Sequence, residues 1–256
     1  MSIDAGRDYM KCPSFLDAMS KSDQQAGIPG PPVSKAAKGE KLIKLPDFAG
    51  IATEDSYTNL LDIRRSLREY DDKIPMTRAQ LAYMLYTAHA IQDFRGVNNV
   101  ATLRPTPSGG ARHPFEVYAA VKNVEGLEMG IYRYLPLEDV GKKAVTIEYI
   151  CPIDNYDETM ADMVVGQKWA AKAPVVLLIS CIPYRAEWRY RELAHRVVLI
   201  DLGHMGQNIM LSAAALGLGS CCMAAYNQEI CDRVVGLDGK EEYIVYAVSV
   251  GTAAKS

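Results

Sequence analysis

Ala173-Pro-Val-Val-Leu-Leu-Ile-Ser-Cys-Ile182 is an unbroken apolar run of strand length. A strand with one wet face alternates apolar and polar side chains, whereas a run without alternation marks a strand buried on both faces. Burying two faces takes helices on each side of a sheet, so this stretch predicts a layered α+β architecture.

Further strands flank it in sequence. Phe115–Val121 reads as a strand, Ile131–Tyr134 and Ala144–Ile150 as two shorter ones, with Gly130 and Gly141 as punctuation. Another strand lies within Gly217–Tyr226, and Glu242–Val250 is the last. Thr77–Ala90 is a well-signalled helix. Pro75 precedes it, Thr77 can cap it with Gln80 as capping-box partner, and Leu81, Met84, Leu85 and Ala88 recur at helical spacing. Ser56–Arg65 and Asn227–Val235 read as short helices and Asp154–Lys172 as mostly helical, while residues 92–105 read as a loop. The order predicts a mixed central sheet flanked by helices on both faces. No Gly-x-Gly-x-x-Gly follows a strand, which disfavours a dinucleotide-binding Rossmann site.

The longest helical region, Val197–Gly217, carries two stripes. Gly203, Gly206, Met210, Ala213 and Gly217 are nearly without side chains, so another backbone can approach closely. This stripe is expected at a homodimer interface. Asp201, His204 and Asn208 form a polar seam, with His204 expected as a satisfied core residue.

The chain has 256 residues, 49% hydrophobic and 23% charged, with net charge −3. That balance gives no support to a nucleic-acid surface, which needs a broad positive face. No apolar run reaches bilayer length and no secretory signal pattern opens the chain, so a cytoplasmic location and no membrane partner are expected. The six cysteines show no disulfide or metal spacing, and the four histidines lie near no ligand-spaced Cys or carboxylate, so no metal is expected. Residues 1–46, rich in Gly, Pro and Lys, are expected to form an extended N-terminal arm lying on the domain or on a second subunit, with residues 47–256 forming a single domain.

Two stretches carry chemistry. Arg64-Arg-Ser-Leu-Arg68 places Arg64, Arg65, Arg68 and the Ser66 hydroxyl within five residues, a donor set that suits a phosphate monoester or, more blandly, a solvated helix end. Pro107-Ser-Gly-Gly-Ala111 is backbone without bulk, a turn that either exposes N–H groups to a planar ligand or merely precedes a strand.

These motifs, followed by Val124-Glu-Gly-Leu-Glu-Met-Gly-Ile-Tyr-Arg-Tyr134, Gln167, Gly203-His-Met-Gly-Gln-Asn208, Ala215-Leu-Gly-Leu-Gly219 and Gly236-Leu-Asp-Gly-Lys-Glu-Glu242, resemble the nitroreductase family, and within it the SagB-type dehydrogenase branch. The resemblance spans roughly residues 55–251. It implies an α+β, homodimeric flavoprotein with FMN at the subunit interface. Hydride would pass from NADH or NADPH through flavin N5 to a small nitroaromatic or quinone-like acceptor. Arg64, Arg65 and Ser66 fall where the family holds the FMN phosphate, and Arg68 where a cation approaches the pyrimidine edge. Pro107, Ser108 and Gly109 match a turn that relatives supply from the partner subunit. Gln167 matches an amide on the ring or ribityl chain, and Met223, Ala224 and Ala225 match a strand end near N5 and O4. Ala111 replaces a frequent Asn, and Lys255 is the one candidate for a C-terminal phosphate contact. Arg189-Tyr190 resembles the Lys-Tyr pair of azoline-oxidising members, with arginine unable to act as a base near neutral pH. Tyr190, Arg189 and His113 are thus candidate substrate-side groups. An azoline-to-azole peptide dehydrogenase and a non-catalytic FMN-binding or storage protein stand as alternatives.

Overall fold

The structure is a computed structural model and describes residues 3–11, 15–39 and 41–254. The chain opens with α1 (Ile3–Met10), α2 (Phe15–Ser20), β1 (Leu42–Lys44), α3 (Tyr57–Ile63) and α4 (Arg78–His89). A small hairpin, β2 (Asp93–Arg95) and β3 (Ala101–Leu103), precedes β4 (Phe115–Val121), β5 (Gly130–Tyr134) and β6 (Thr146–Cys151). Then come α5 (Tyr156–Met163), β7 (Val175–Cys181), α6 (Tyr184–Tyr190), α7 (Ala194–Ala215), β8 (Gly219–Met223), α8 (Gln228–Val235) and β9 (Tyr243–Gly251). No helix of the described residues is long and apolar enough to cross a membrane.

Seven strands form one sheet in the order β1-β6-β5-β4-β7-β9-β8. β7 sits inside it, paired with β4 and β9, and all seven of its residues are buried. Its alternating side chains enter two different cores. Val175, Leu177 and Ile179 pack with Leu81 and Leu85 of α4 and Leu202 and Ile209 of α7. Val176 and Leu178 pack with Met160 and Met163 of α5 and Cys231 and Val235 of α8. Helices therefore cover both faces, and the fold is α+β.

The sheet is not mixed as expected. Every strand pair in it is antiparallel, and parallel pairing is confined to the isolated bridges Ser66–Ser220 and Met76–Val124. A continuous apolar run reports cover on two faces and carries no information on strand direction.

Other local readings fare unevenly. The α4 capping box forms: Gln80 N–H donates to Thr77 Oγ1 at 3.1 Å, and Thr77 N–H to Gln80 Oε1 at 2.9 Å. The segment expected as a loop contains the β2–β3 hairpin. The helix expected across 154–172 stops at Met163, where Val165 (φ 49°) and Gly166 (φ 82°) turn the chain left-handed. Residues 1–46 are not extended throughout, since α1 and α2 lie within them.

From Asp23 onward the N-terminal stretch lies on its own chain. The Trp188 indole N–H donates to Ile28 O at 2.8 Å, Arg185 Nε to Pro32 O at 2.8 Å and Arg104 Nη2 to Val33 O at 2.9 Å. Lys35 N–H donates to buried Glu116, itself paired with buried Arg185 at 2.6 Å. Lys38 N–H donates to buried Glu148, which pairs with buried Arg133 at 2.7 Å. β1 then pairs with β6 at one sheet edge.

Candidate functional site

The site begins at the other sheet edge. α3 ends at Ile63, and the chain leaves it at Arg64 (φ −57°, ψ 118°) to run along the outside of edge strand β8. Ser66 bridges Ser220 in parallel, and Leu67 N–H donates to Ser220 O at 2.9 Å. The docking needs a glycine. A Cβ at Gly219 would stand 2.1 Å from Leu67 Cδ2 and 2.8 Å from Leu67 Cβ. Arg64, Arg65 and Leu67 line a cavity of about 260 Å³ with Met210, Ala214 and Ser220. Arg68 lies beyond it, its guanidinium 5.8 Å from the Trp169 ring centroid.

Among the described residues no carboxylate reaches ion-pair distance of Arg64, Arg65 or Arg68. Their field reaches β8. Burial pushes the Cys221 thiol up while Arg68 opposes it, and burial pushes Cys222 up to about 11 while Arg64 opposes it. Two guanidiniums without a carboxylate partner at an opening, with Arg68 and the Ser66 hydroxyl close by along the same segment, suit an anionic group.

Gln167 closes the far end of β8, its Nε2 donating to Val164 O at 3.0 Å and Ala225 O at 3.1 Å. Met223 is buried, so it offers only backbone, while Ala224 and Ala225 are exposed. Arg64–Arg68, Gln167 and Met223–Ala225 thus gather around one strand.

The Pro107–Ala111 turn lies elsewhere. Ser108 Oγ donates to Asp201 Oδ2 at 2.6 Å, and Gly109 N–H approaches both Asp201 oxygens at 3.1 Å. Asp201 stands about 14 Å along α7 from Met210 and about 20 Å from Ala214, both of which line the arginine cavity, at a rise of ~1.5 Å per residue. None of the residues Pro107–Ala111 lines that cavity.

The nitroreductase family profile matches residues 61–252. The chain belongs to the nitroreductase family. It is 34% identical over 189 residues to the nitroreductase-family protein MJ1384 of Methanocaldococcus jannaschii, covering 73% of this chain and 86% of that one. It is 30% identical over 140 residues to the microcin B17-processing protein McbC of Escherichia coli, covering 53% of this chain and 49% of McbC. Among solved structures, a chain of the E. coli microcin synthetase McbBCD complex with truncated pro-MccB17 bound superposes with TM-score 0.62 at 21% identity, over 100% of this chain and 98% of that one. A nitroreductase-type structure from Exiguobacterium sibiricum in complex with FMN superposes with TM-score 0.54 at 14% identity, over 79% and 90%. Those two show the fold.

In this nitroreductase-family chain several candidate residues have structural partners. His113 is buried, its Nε2 3.1 Å from Thr102 O, and does not face an opening. Burial pushes its pKa down to about 3, with Arg104 adding to the effect. Tyr190 is buried, edge-on to Phe15 at 5.4 Å, and its hydroxyl lies where a Cβ at Gly110 would come within 2.4 Å. Arg189 stacks on the Tyr190 ring at 5.6 Å, and its buried Nε has no hydrogen-bond partner. The pair therefore borders the Pro107–Ala111 turn and not the arginine cavity. Ala111 sits at φ 53°, a conformation Asn tolerates better than Ala. Lys255 lies outside the described residues.

The small stripe of α7 divides. A Cβ at Gly206 would meet Tyr246 Cε1 at 2.8 Å and Cys222 Sγ at 3.3 Å, and Met210 and Ala213 are buried, whereas Gly203 and Gly217 are exposed. The middle of the stripe lets α7 pack on its own sheet, and so does not form the dimer interface expected of it. The polar seam also divides: Asp201 holds the turn, His204 is exposed and not a core residue, and Asn208 Nδ2 donates to Thr87 O. Sequence reading missed Trp169 beside Arg68 and the role of Asp201, since neither pairing leaves a short-range spacing signal.

Proposed function

We propose that this chain binds FMN between two copies of itself and acts as an NADH- or NADPH-dependent oxidoreductase on a small nitroaromatic or quinone-like acceptor. The carrying observation is the group of unpaired guanidiniums on a glycine-dependent sheet edge. Arg64, Arg65 and Ser66 would hold the phosphate, which wants charge-assisted donors from several directions. Arg68, fixed over Trp169, would place positive charge at the pyrimidine edge, where it favours the reduced, anionic ring. Gln167 and the backbone of Met223, Ala224 and Ala225 would flank the ring, with Pro107, Ser108 and Gly109 reaching it from the partner. Bound FMN would supply the two-electron carrier between donor and acceptor in alternate half-reactions. A homodimer agrees with the apolar side chains left exposed on α3 and α7: Tyr57, Leu61, Ile63, Leu199 and Ile200. The Exiguobacterium relative's complex with FMN supports the same cofactor.

The match to McbC favours a second reading, an azoline-to-azole peptide dehydrogenase working with a partner protein. Absorption spectra of the purified protein, with NAD(P)H and then a quinone, test the first reading. A flavin spectrum that bleaches with donor and returns with acceptor is expected, and Arg64→Ala with Ser66→Ala should release the flavin from a folded protein. A colourless protein that takes up no added FMN sinks both readings. Turnover only with a heterocyclised peptide favours the second. Bound flavin with no turnover of either kind leaves the storage role.

A further inference from the structure

We propose that Asp201 is a positioning residue, clamping the Pro107–His113 turn in the shape it presents to the cofactor of the partner subunit; the cofactor half of this claim rests on the function proposed above. The turn is strained. Gly110, Ala111 and His113 all have left-handed φ (58°, 53° and 42°), and two of them carry a Cβ that disfavours it. Such a backbone persists only where its surroundings over-determine it.

Asp201 supplies that constraint from one buried carboxylate. Oδ2 accepts the Ser108 hydroxyl at 2.6 Å, and both oxygens receive Gly109 N–H at 3.1 Å. Ser108 Oγ in turn accepts His113 N–H at 2.9 Å. One relay therefore ties both ends of the left-handed stretch to α7. A Cβ at Gly109 would come within 2.4 Å of Val197 Cγ1, one turn earlier on the same helix, so the seat is tight as well as polar.

The charge is not spent on an ion pair. Asp201 is 4% exposed, and among the described residues no Lys or Arg pairs with it. Burial raises its pKa, while Ser108, Gly109 and more distantly His204 lower it. A buried carboxylate without a cation costs stability, and Ser108 Oγ and Gly109 N–H, the donors it meets among the described residues, both come from this turn. The Ser108 hydroxyl, donor to Asp201 and acceptor from His113, has no further proton to offer. On the proposed function the turn would therefore meet the cofactor through its backbone and the Pro107 ring, at a position Asp201 sets.

Asp201→Asn keeps the shape but removes the second acceptor, and Ser108→Ala cuts the relay to His113 while leaving the helix intact. Hydrogen exchange on peptides spanning 105–114, compared with β7, reads the clamp, and FMN titration reads its consequence. Both variants are expected to exchange about tenfold faster in the turn, the loss of a charge-assisted bond, with β7 unchanged. FMN affinity should fall about tenfold with them. Asp201→Asn should melt no lower than wild type, because losing a buried unpaired charge offsets the lost bond, so reduced FMN affinity at an unchanged melting temperature separates positioning from global stability. Unchanged exchange in both variants overturns the clamp. Faster exchange with full FMN affinity overturns the positioning role. Absence of FMN binding in wild type as well sinks the proposed function, while the exchange data still decide whether Asp201 holds the turn.

Discussion

Two histidines of this nitroreductase-family chain are buried neutral, and they set a pH limit on stability. His89 is 1% exposed with Nε2 2.8 Å from Phe115 O and Nδ1 unpartnered, and its ring lies 6.2 Å from that of His113. Burial pushes the pKa of both down, and the nearby Arg104 guanidinium pushes further. Neutral imidazole is thus favoured by folding, so the stabilisation is complete above the unfolded histidine range near 6.5 and is lost as pH falls. For His113 the loss continues to about pH 3. Each histidine contributes a slope of about 1.4 kcal/mol per pH unit in that window. Urea unfolding between pH 7.5 and 5 should show it, and His113→Gln should flatten the slope whatever it does to the absolute stability. Equal slopes in variant and wild type would contradict this account. Residue chemistry of this kind was only partly legible in sequence. The arginine cluster stood out because four donors fall within five residues, whereas the burial of His113 depends on an Arg104 and a Thr102 that only the fold brings to it.

At the scale of elements, the signal survived where it is local. The α4 capping box joins residues three apart, and the β7 run records its two covered faces in consecutive side chains. The β2–β3 hairpin left too short a one, because Asp93-Phe-Arg95 and Ala101-Thr-Leu103 alternate over only three residues each, below the span a strand pattern needs. The α7 stripe was visible, but spacing cannot say whether a close approach is to the same chain or another. Gly219 shows what such an approach does for the site. The 2.8 Å to Leu67 Cβ cannot be relieved by a rotamer change alone, so Gly219→Ala must lift the Arg64–Arg68 segment from β8. The expected cost is about 1–3 kcal/mol of stability, the usual range for overpacking, with FMN affinity reduced about tenfold. Adding Leu67→Gly, which removes that Cβ as well, should restore the affinity. FMN titration of the single and double variants checks the coupling, and a single variant with wild-type affinity would mean that the edge docking does not shape the site.

For the whole molecule, the decisive fact is the spacing along α7. The arginine cavity meets it at Met210 and Ala214, and the clamped turn meets it at Asp201. At a rise of ~1.5 Å per residue, about 14 Å of helix lies between Asp201 and Met210 and about 20 Å between Asp201 and Ala214. On the function proposed above, a second copy related by a two-fold axis brings its turn to the first copy's arginines, and each dimer then holds two identical composite sites. That arrangement predicts complementation. A chain carrying Arg64→Ala and Ser66→Ala fails on the phosphate side, and a chain carrying Asp201→Ala and Ser108→Ala fails on the turn side. Co-expressed, half of the dimers are mixed, and each mixed dimer has one site with both halves native and one with neither. At an FMN concentration near the wild-type Kd, where each parent is largely empty, flavin content and NAD(P)H oxidation should therefore recover to about a quarter of wild type. Recovery confined to the mixed dimers, separated by differently tagged chains, establishes the shared site. No recovery in mixed dimers, with both parents folded, would place arginines and turn in separate functions.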